Sequence, residues 1–236
     1  HEADSAAAIV LSPNGEILAL ANYPSTDPNN HQNYSADDYR NRVFSDKTEP
    51  GSTMKPFTML LALDKGVITA TDDEFIDVTK RVGHVPTDGK YFEITIQKIL
   101  EKSHNLGTVV VSERLINEDY YSTWEKLGFG KSLGIMPGTE NQGILRHYSD
   151  WGLADKRTLA YGYGPMNTNL AQLARAYLVF ANEGSIPSLK LFKNDKATDN
   201  LQQVFSPEST RRIAEILDSV ASIEGSGYRA VIDGYS

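Results

Sequence analysis

The stretch EPGSTMKPFTMLLALDKG, residues 49–66, contains a strongly apolar predicted helix. Residues 57–65 are apolar on nearly every side, which is typical of a helix buried in a core, and Gly66 provides its stop. Pro56 has no N–H to donate and is tolerated in the first turn of a helix, so this helix should begin close to Ser52. The fold is therefore expected to be built around a buried helix whose N-terminus carries Ser52 and Lys55.

Ser52 and Lys55 are three residues apart, so on a helix they lie on one face and can meet. The serine hydroxyl is then at the positive end of the helix, a position that favours a developing negative charge. Lysine acts as a base only when neutral, and moving its pKa from ~10.4 to ~7 requires about 4.6 kcal/mol of environmental bias. Burial of Lys55 supplies part of that bias. The alternative is that Ser52 caps the helix and Lys55 extends to solvent.

The rest of the chain predicts an early β-hairpin followed mainly by helices. Two apolar runs flank Pro13-Asn14-Gly15, a composition that favours a tight turn between strands. A two-stranded hairpin is marginally stable by itself, so we expect further strands beside it. This order of elements indicates an α+β fold. The predicted elements are the hairpin within residues 6–23, a strand at 75–78, and helices at 57–65, 94–102, 106–116, 119–127, 169–181 and 207–221.

Composition argues against several classes of protein. The chain has 236 residues, long enough for one sizeable domain over residues 1–236. Its 23 basic and 31 acidic residues give a net charge of −8, which argues against nucleic acid or an anionic membrane as the main partner. It contains no cysteine, and no run approaches the ~20 apolar residues that span a bilayer. Because it starts without Met and without a signal peptide, we expect it to be a piece of a longer protein.

Other polar stretches are weaker candidates for a site. Ser103-His104-Asn105 falls at a break between two predicted helices, where the side chains either face a cleft or cap the second helix. Residues 161–164, Tyr-Gly-Tyr-Gly, favour a loop whose rings fill the core. The glycine-rich residues 128–134 lack the ending of a phosphate-binding loop. The five histidines show no metal-ligand spacing, so no metal site is expected.

Taken together, these segments resemble the transpeptidase domain of class B penicillin-binding proteins, most of all the division-specific peptidoglycan D,D-transpeptidases of the penicillin-binding protein 3 type. The resemblance is carried by EPGSTMKPF with its Ser-x-x-Lys motif, EKSHNLG with Ser-x-Asn, GFGKSLGI, and YGYG followed by NLAQLARAY. It implies an α+β fold of the penicillin-binding and serine β-lactamase-like type, in which three layers place helices around an antiparallel sheet.

The resemblance implies a role for each matching residue. Ser52 would be the acylated nucleophile and Lys55 its general base, Ser103 a proton-relay hydroxyl, and Asn105 a ligand of the substrate amide that also orients Lys55. His104 takes the variable place in the second motif and inherits no role. The implied reaction is attack on the D-Ala-D-Ala bond of a peptidoglycan stem peptide, release of D-Ala and acyl transfer to an amine on a neighbouring strand. β-Lactams would acylate Ser52 as substrate mimics, with no metal or organic cofactor.

The resemblance also implies a longer protein at the periplasmic face of the bacterial inner membrane. Its membrane anchor would lie outside this chain, and its partners would be cell-division proteins. The family's third motif, Lys-Ser/Thr-Gly, does not occur here, since Lys131-Ser132 is followed by Leu133. The final GYRAVIDGYS resembles the segment that leads into that motif, so we expect a domain incomplete at its C-terminus. In the family, the part that carries the third motif also provides one hydrogen-bond donor of the oxyanion hole, and loss of one such donor typically lowers the rate by ~10²–10³. We therefore expect this chain to have little transpeptidase activity.

Two other functions remain open from sequence. A serine β-lactamase or β-lactam sensor shares Ser-x-x-Lys, although no carboxylate is clearly placed to activate a deacylating water. A catalytically impaired fragment that serves as a scaffold in a cell-wall complex is the third. Replacement of Ser52 by alanine separates the scaffold from the enzyme, since binding should survive and acylation should not.

Overall fold

The computed structural model describes residues 3–85, 90–192 and 201–232. Its helices and antiparallel strands confirm the α+β class. Within the described ranges, the strands form four separate antiparallel pairs, β1–β2, β3–β4, β5–β6 and β7–β8. The strands are β1 (Ala6–Leu11), β2 (Ile17–Tyr23), β3 (Phe75–Asp77), β4 (Glu93–Thr95), β5 (Ile144–Leu145), β6 (Met166–Asn167), β7 (Ser185–Ile186) and β8 (Gln202–Gln203). The α-helices are α1 (Arg42–Ser45), α2 (Lys55–Asp64), α3 (Ile96–Glu101), α4 (Asn105–Ser112), α5 (Asn117–Leu127), α6 (Leu153–Leu159), α7 (Leu170–Ala181) and α8 (Pro207–Asp218).

The predicted hairpin forms as β1 and β2, with an irregular register between Val10 and Leu11. Its turn is closed by Gly15, whose φ of +84° suits glycine and whose position leaves no room for a Cβ, which would lie 2.2 Å from Ser188 O. The inward-facing side chains pack against a small core beside α7. On the other face, Val10 and Leu18 are exposed.

Helix α2 is the centre of the fold, as its sequence predicts. Every residue from position 55 to position 62 is buried, and the helix packs against α4 and α8. The surrounding core includes large side chains from α5 and the loops, among them Trp124 and Phe129. A helix held on nearly every side gives a fixed support for the residues at its N-terminus.

The structure departs from the predicted elements in one informative place, at the start of the helix predicted for residues 94–102. Ile94 and Thr95 are not helical but belong to β4, where Ile94 pairs with Ile76 of β3. Thr95 then caps α3 by accepting a hydrogen bond from the Lys98 N–H. The β-branched run Ile94-Thr95-Ile96 fits a strand and a cap as well as a helix, and pairing with β3 decides between them.

The last described helix, α8, begins as expected, with Ser206 as N-cap and Pro207 in the first turn. A 3-10 turn (Ser219–Ala221) continues it, and a second one (Tyr228–Ala230) follows. Residues 233–236 of the GYRAVIDGYS segment lie outside the described residues. Among the helices that the structure describes, none has the length and apolar character needed to cross a bilayer.

Candidate active site

Ser52 lies in a tight turn that leads into α2. Residues Gly51–Met54 form a 3-10 turn, and the α-helix itself begins at Lys55. Side chains three residues apart eclipse one another in a 3-10 turn, so Ser52 and Lys55 project from the same side. Ser52 is exposed, whereas Lys55 is only 2 % exposed. The prediction that the helical segment begins close to Ser52 is confirmed, with a 3-10 turn as its first part.

Lys55 is a buried amine held by one residue of the second motif. Its Nζ donates to Ser103 Oγ at 2.9 Å and also to the backbone carbonyl of Ser103. No carboxylate pairs with Lys55 among the described residues, and burial lowers its pKa from 10.5 to about 8. A neutral amine has two N–H donors and one lone pair. With both donors directed to Ser103, the lone pair is left to accept a proton.

Ser103 has an unusual backbone conformation that a particular helix ending explains. Its N–H donates to Leu100 O and the next N–H, of His104, donates to Ile99 O, at 3.1 and 2.8 Å. These two bonds form a Schellman ending of α3, in which Ser103 takes the left-handed position with φ +52°. Glycine is the usual residue there because it has no Cβ. Here a serine occupies it, and its hydroxyl contacts Lys55.

The remaining two residues of the second motif begin α4. Asn105 is its first residue and is half-buried. Both hydrogen bonds that Lys55 makes within the described chain go to Ser103, so the role of Asn105 toward Lys55 and substrate stays a prediction. His104, which inherits no role from the family resemblance, is the N-cap of α4, because its Nδ1 accepts from the Gly107 N–H at 3.0 Å.

Ser52, Lys55 and Ser103 line the same cavity, which has a volume of about 630 Å³. A volume of this size suits a small molecule or a short peptide segment. Its other walls are mainly apolar and come from α7, α8 and the chain that follows α8, with Tyr177, Phe180, Leu217, Val220 and Ala230 among the lining residues. The cavity thus brings an exposed hydroxyl, a buried amine and a second hydroxyl together beside a mainly apolar surface.

The Tyr-Gly-Tyr-Gly segment supports the turn that carries Ser52. The carbonyl of Gly162 accepts a hydrogen bond from Gly51 N at 2.9 Å. A Cβ on Gly162 would lie 2.0 Å from Gly51 O, so glycine is required for this approach. Tyr163 is 42 % exposed, so the expectation that the rings of this segment fill the core is wrong for that ring. The alternation of glycine with tyrosine was the available signal, and it indicates close backbone packing beside the site.

Tyr177 is a second supporting residue that sequence reasoning missed. Its hydroxyl donates to Thr53 O at 2.7 Å, and its ring packs edge-on against Phe57. Burial raises the pKa of this phenol, so it stays a neutral donor. On sequence alone Tyr177 is one apolar position of α7, and nothing distinguishes it from a core residue.

Within residues 3–85, 90–192 and 201–232, no three side chains of the His, Cys, Asp and Glu types are grouped so that they could hold a metal ion.

Comparison with known proteins gives a consistent result. Residues 6–236 match the family described as the penicillin binding protein transpeptidase domain. A protein named probable peptidoglycan D,D-transpeptidase PenA, from Neisseria flavescens, is 33% identical over 239 residues, which cover 100% of this chain and 59% of the relative. The peptidoglycan D,D-transpeptidase FtsI of Escherichia coli K12 is 32% identical over 238 residues, covering 100% of this chain and 40% of that protein.

A solved structure agrees with the sequence matches. The apo transpeptidase domain of Burkholderia pseudomallei penicillin-binding protein 3 superimposes with a TM-score of 0.84 at 30% identity. The match covers 98% of this chain and 66% of that one. This chain therefore spans less than two thirds of each of these relatives.

Proposed function

Because this chain belongs to the penicillin-binding protein transpeptidase family, we propose that it carries the acyl-enzyme chemistry of a peptidoglycan D,D-transpeptidase, with Ser52 as nucleophile. The observation that carries the proposal is the buried Lys55 amine, which has a depressed pKa and makes both of its hydrogen bonds within the described residues to Ser103, one helical turn from an exposed serine. The proposed substrates are peptidoglycan stem peptides, and residues 1–236 are proposed to belong to one transpeptidase domain.

The proposed first half-reaction forms an ester on Ser52. The Ser52 oxygen attacks the carbonyl carbon of the D-Ala-D-Ala bond while its proton passes to neutral Lys55. The tetrahedral intermediate places negative charge near the N-terminal N–H groups of the helical turn. Collapse breaks the C–N bond, and the departing D-Ala amine takes a proton from Lys55 through the Ser103 hydroxyl. Asn105 is proposed to hold the substrate amide.

The second half-reaction runs the same proton path in reverse. An amine from a neighbouring strand attacks the ester, gives its proton to Lys55, and leaves as the new amide while Ser52 is protonated again. A base with pKa about 8 suits both directions. At neutral pH about one Lys55 in ten is already deprotonated, compared with roughly one in 3,000 for a lysine of ordinary pKa.

The wider setting is part of the proposal. We propose that the protein acts in septal cell-wall synthesis at the periplasmic face of the bacterial inner membrane, with cell-division proteins as partners, β-lactams as inhibitors and its anchor outside these residues. The similarity to proteins named FtsI and PenA supports this setting.

The test is intact-protein mass spectrometry of the 236-residue chain after exposure to benzylpenicillin. We expect one adduct, mapped to Ser52, which is lost in Ser52→Ala and kept in Ser25→Ala, a change at an exposed serine that does not line the cavity. Because no Lys-Ser/Thr-Gly motif occurs in the chain, we expect acylation on the order of 10²–10³ slower than in a relative that carries this motif. Absence of any adduct after prolonged exposure contradicts the enzyme and favours a scaffold. Rapid turnover of a chromogenic cephalosporin identifies a β-lactamase instead.

A further inference from the structure

His104 joins the two helices that carry the second motif. Its backbone N–H donates to Ile99 O at 2.8 Å and completes the ending of α3. Its side-chain Nδ1 accepts from Gly107 N at 3.0 Å and begins α4. One residue therefore fixes the chain on both sides of the junction, immediately after Ser103.

The local packing leaves little freedom for His104. It is 4 % exposed, and its ring meets the ring of Tyr91 edge-on at 5.7 Å. Its carbonyl accepts from both the backbone and the hydroxyl of Thr108, at 3.2 and 2.9 Å. Gly107 makes the cap possible, because a Cβ there would lie 2.7 Å from Ile99 and 3.2 Å from His104 Nδ1. The cap requires an Nδ1 lone pair, so the ring carries its proton on Nε2.

Ser103 depends on this arrangement. A serine with φ +52° is in a sparsely populated region, and such a conformation persists only where its surroundings enforce it. Both contacts from Ser103 to Lys55 are made from this left-handed conformation, so a change in the backbone at Ser103 would reorient its carbonyl and hydroxyl relative to Lys55. The hydrogen bonds of His104 are the restraints on the C-terminal side of Ser103.

We propose that His104 is a positioning residue: by capping α4 through Nδ1, it holds Ser103 in the orientation that presents its two oxygens to Lys55. The inference deepens the proposed acyl transfer and rests on it. In this chain, the variable middle position of the second motif would then have a function. His104 would act through Ser103 and would not contact the reacting atoms.

Three substitutions distinguish the contribution of the hydrogen-bond acceptor of His104 from that of its ring. His104→Asn retains a side-chain acceptor for the Gly107 N–H, and asparagine is a preferred N-cap. His104→Phe retains a ring against Tyr91 but has no acceptor, and His104→Ala removes both. Ser206→Ala is the matched control, since Ser206 caps α8 through the Ser209 N–H at 3.2 Å and is not part of the site.

The first readout is the rate constant of Ser52 acylation by benzylpenicillin, measured well below each variant's melting temperature. We expect His104→Ala and His104→Phe to lower it by on the order of tenfold to a hundredfold, and His104→Asn to remain within about threefold of wild type. Ser206→Ala should lose thermal stability without slowing acylation. If alanine and phenylalanine at position 104 acylate as fast as wild type, His104 is only a helix cap and the proposal is wrong.

The second readout does not depend on acylation. Amide hydrogen exchange at Gly107 and the NMR signals of the Lys55 side chain should change in His104→Ala and His104→Phe, and stay near wild type in His104→Asn and Ser206→Ala. If the wild-type protein is not acylated, only the proposed function is contradicted. The exchange and NMR signals would still show whether His104 affects the surroundings of Lys55. Unchanged Lys55 signals in all variants contradict the positioning role, whatever the acylation result.

Discussion

Replacing Lys55 by methionine should show how much the buried Lys55 amine lowers the free energy of unfolding. Lys55 is a buried cation without a carboxylate partner among the described residues, and burial lowers its pKa from 10.5 to about 8. Methionine has a similar length and suits irregular apolar surroundings. The variant removes the buried charge, and with it the two hydrogen bonds to Ser103.

The size of the effect follows from the two pKa values. A lysine that binds its proton at about 8 when folded and at 10.5 when unfolded costs the folded state about 3 kcal/mol at neutral pH. Between these values the unfolded chain binds more protons than the folded one, so stability rises with pH. Methionine does not titrate. The free energy of unfolding of wild type minus that of Lys55→Met should therefore rise by about 2.5 kcal/mol between about pH 7 and pH 10.

The assay is urea unfolding of both proteins across this pH range, followed by circular dichroism. Titration of all other groups cancels in the difference between the two free energies of unfolding. Loss of the two hydrogen bonds to Ser103 changes this difference by about 1 kcal/mol each, an amount that is nearly independent of pH. The same substitution at Lys126, an exposed residue of α5, is the matched control. A difference between wild type and Lys55→Met that stays flat with pH, or falls, would refute the assignment of Lys55 as a buried amine with a depressed pKa.

Three further predictions follow from the same geometry. The rate of Ser52 acylation should rise about tenfold per pH unit up to about pH 8 and then level off, as Lys55 loses its proton; a flat profile argues against Lys55 as base. The free energy of unfolding of Ser103→Gly should exceed that of Ser103→Ala by about 1 kcal/mol, because glycine tolerates φ +52°, while both substitutions should slow acylation. Gly162→Ala should slow acylation on the order of a hundredfold, because its Cβ would strike Gly51 O; Gly134→Ala, with φ +74° and open space around it, controls for backbone strain.

Local signals predicted the framework of the fold. The turn chemistry at residues 13–15 predicts the β1–β2 hairpin, and the apolar run closed by Gly66 predicts α2. The Ser206-Pro207 start predicts α8. In each case the signal lies within a few residues of the element it specifies, and packing of the remaining chain agrees with it.

The short strand pairs and α6 could not be predicted in this way. Each of β5 to β8 has two residues, which is too short for a period-two pattern to stand out. They exist because of contacts with distant chain, such as the pairing of Ile144 with Asn167. Ile94 and Thr95 were misassigned for the same reason, since their pairing with β3 lies outside any local window.

In the candidate site, too, contacts between residues close in sequence could be predicted and contacts between distant residues could not. Ser52 and Lys55 can be paired from sequence, because three-residue spacing on a helix brings two side chains together. The contact from Lys55 to Ser103 joins residues 48 positions apart, so only the family resemblance suggested it. A cap on α4 is one of the two alternatives that the sequence offers for Ser103-His104-Asn105, but no residue pattern identifies His104 as the capping residue or predicts the left-handed conformation of Ser103.

Local sequence rules predict least well the positions where the residue present is less favourable for stability than another residue would be. A chain optimised for stability alone would have glycine at position 103, where φ is +52°, and an apolar residue at position 55, which is 2 % exposed. Serine and lysine occupy them instead, and their side chains bond to each other. Because the two residues are in contact, the stabilities of Lys55→Met and Ser103→Gly should not add. Each substitution removes the reason for the other residue's unfavourable state, so the shortfall from additivity measures how far the strain at Ser103 and the buried charge of Lys55 are energetically coupled.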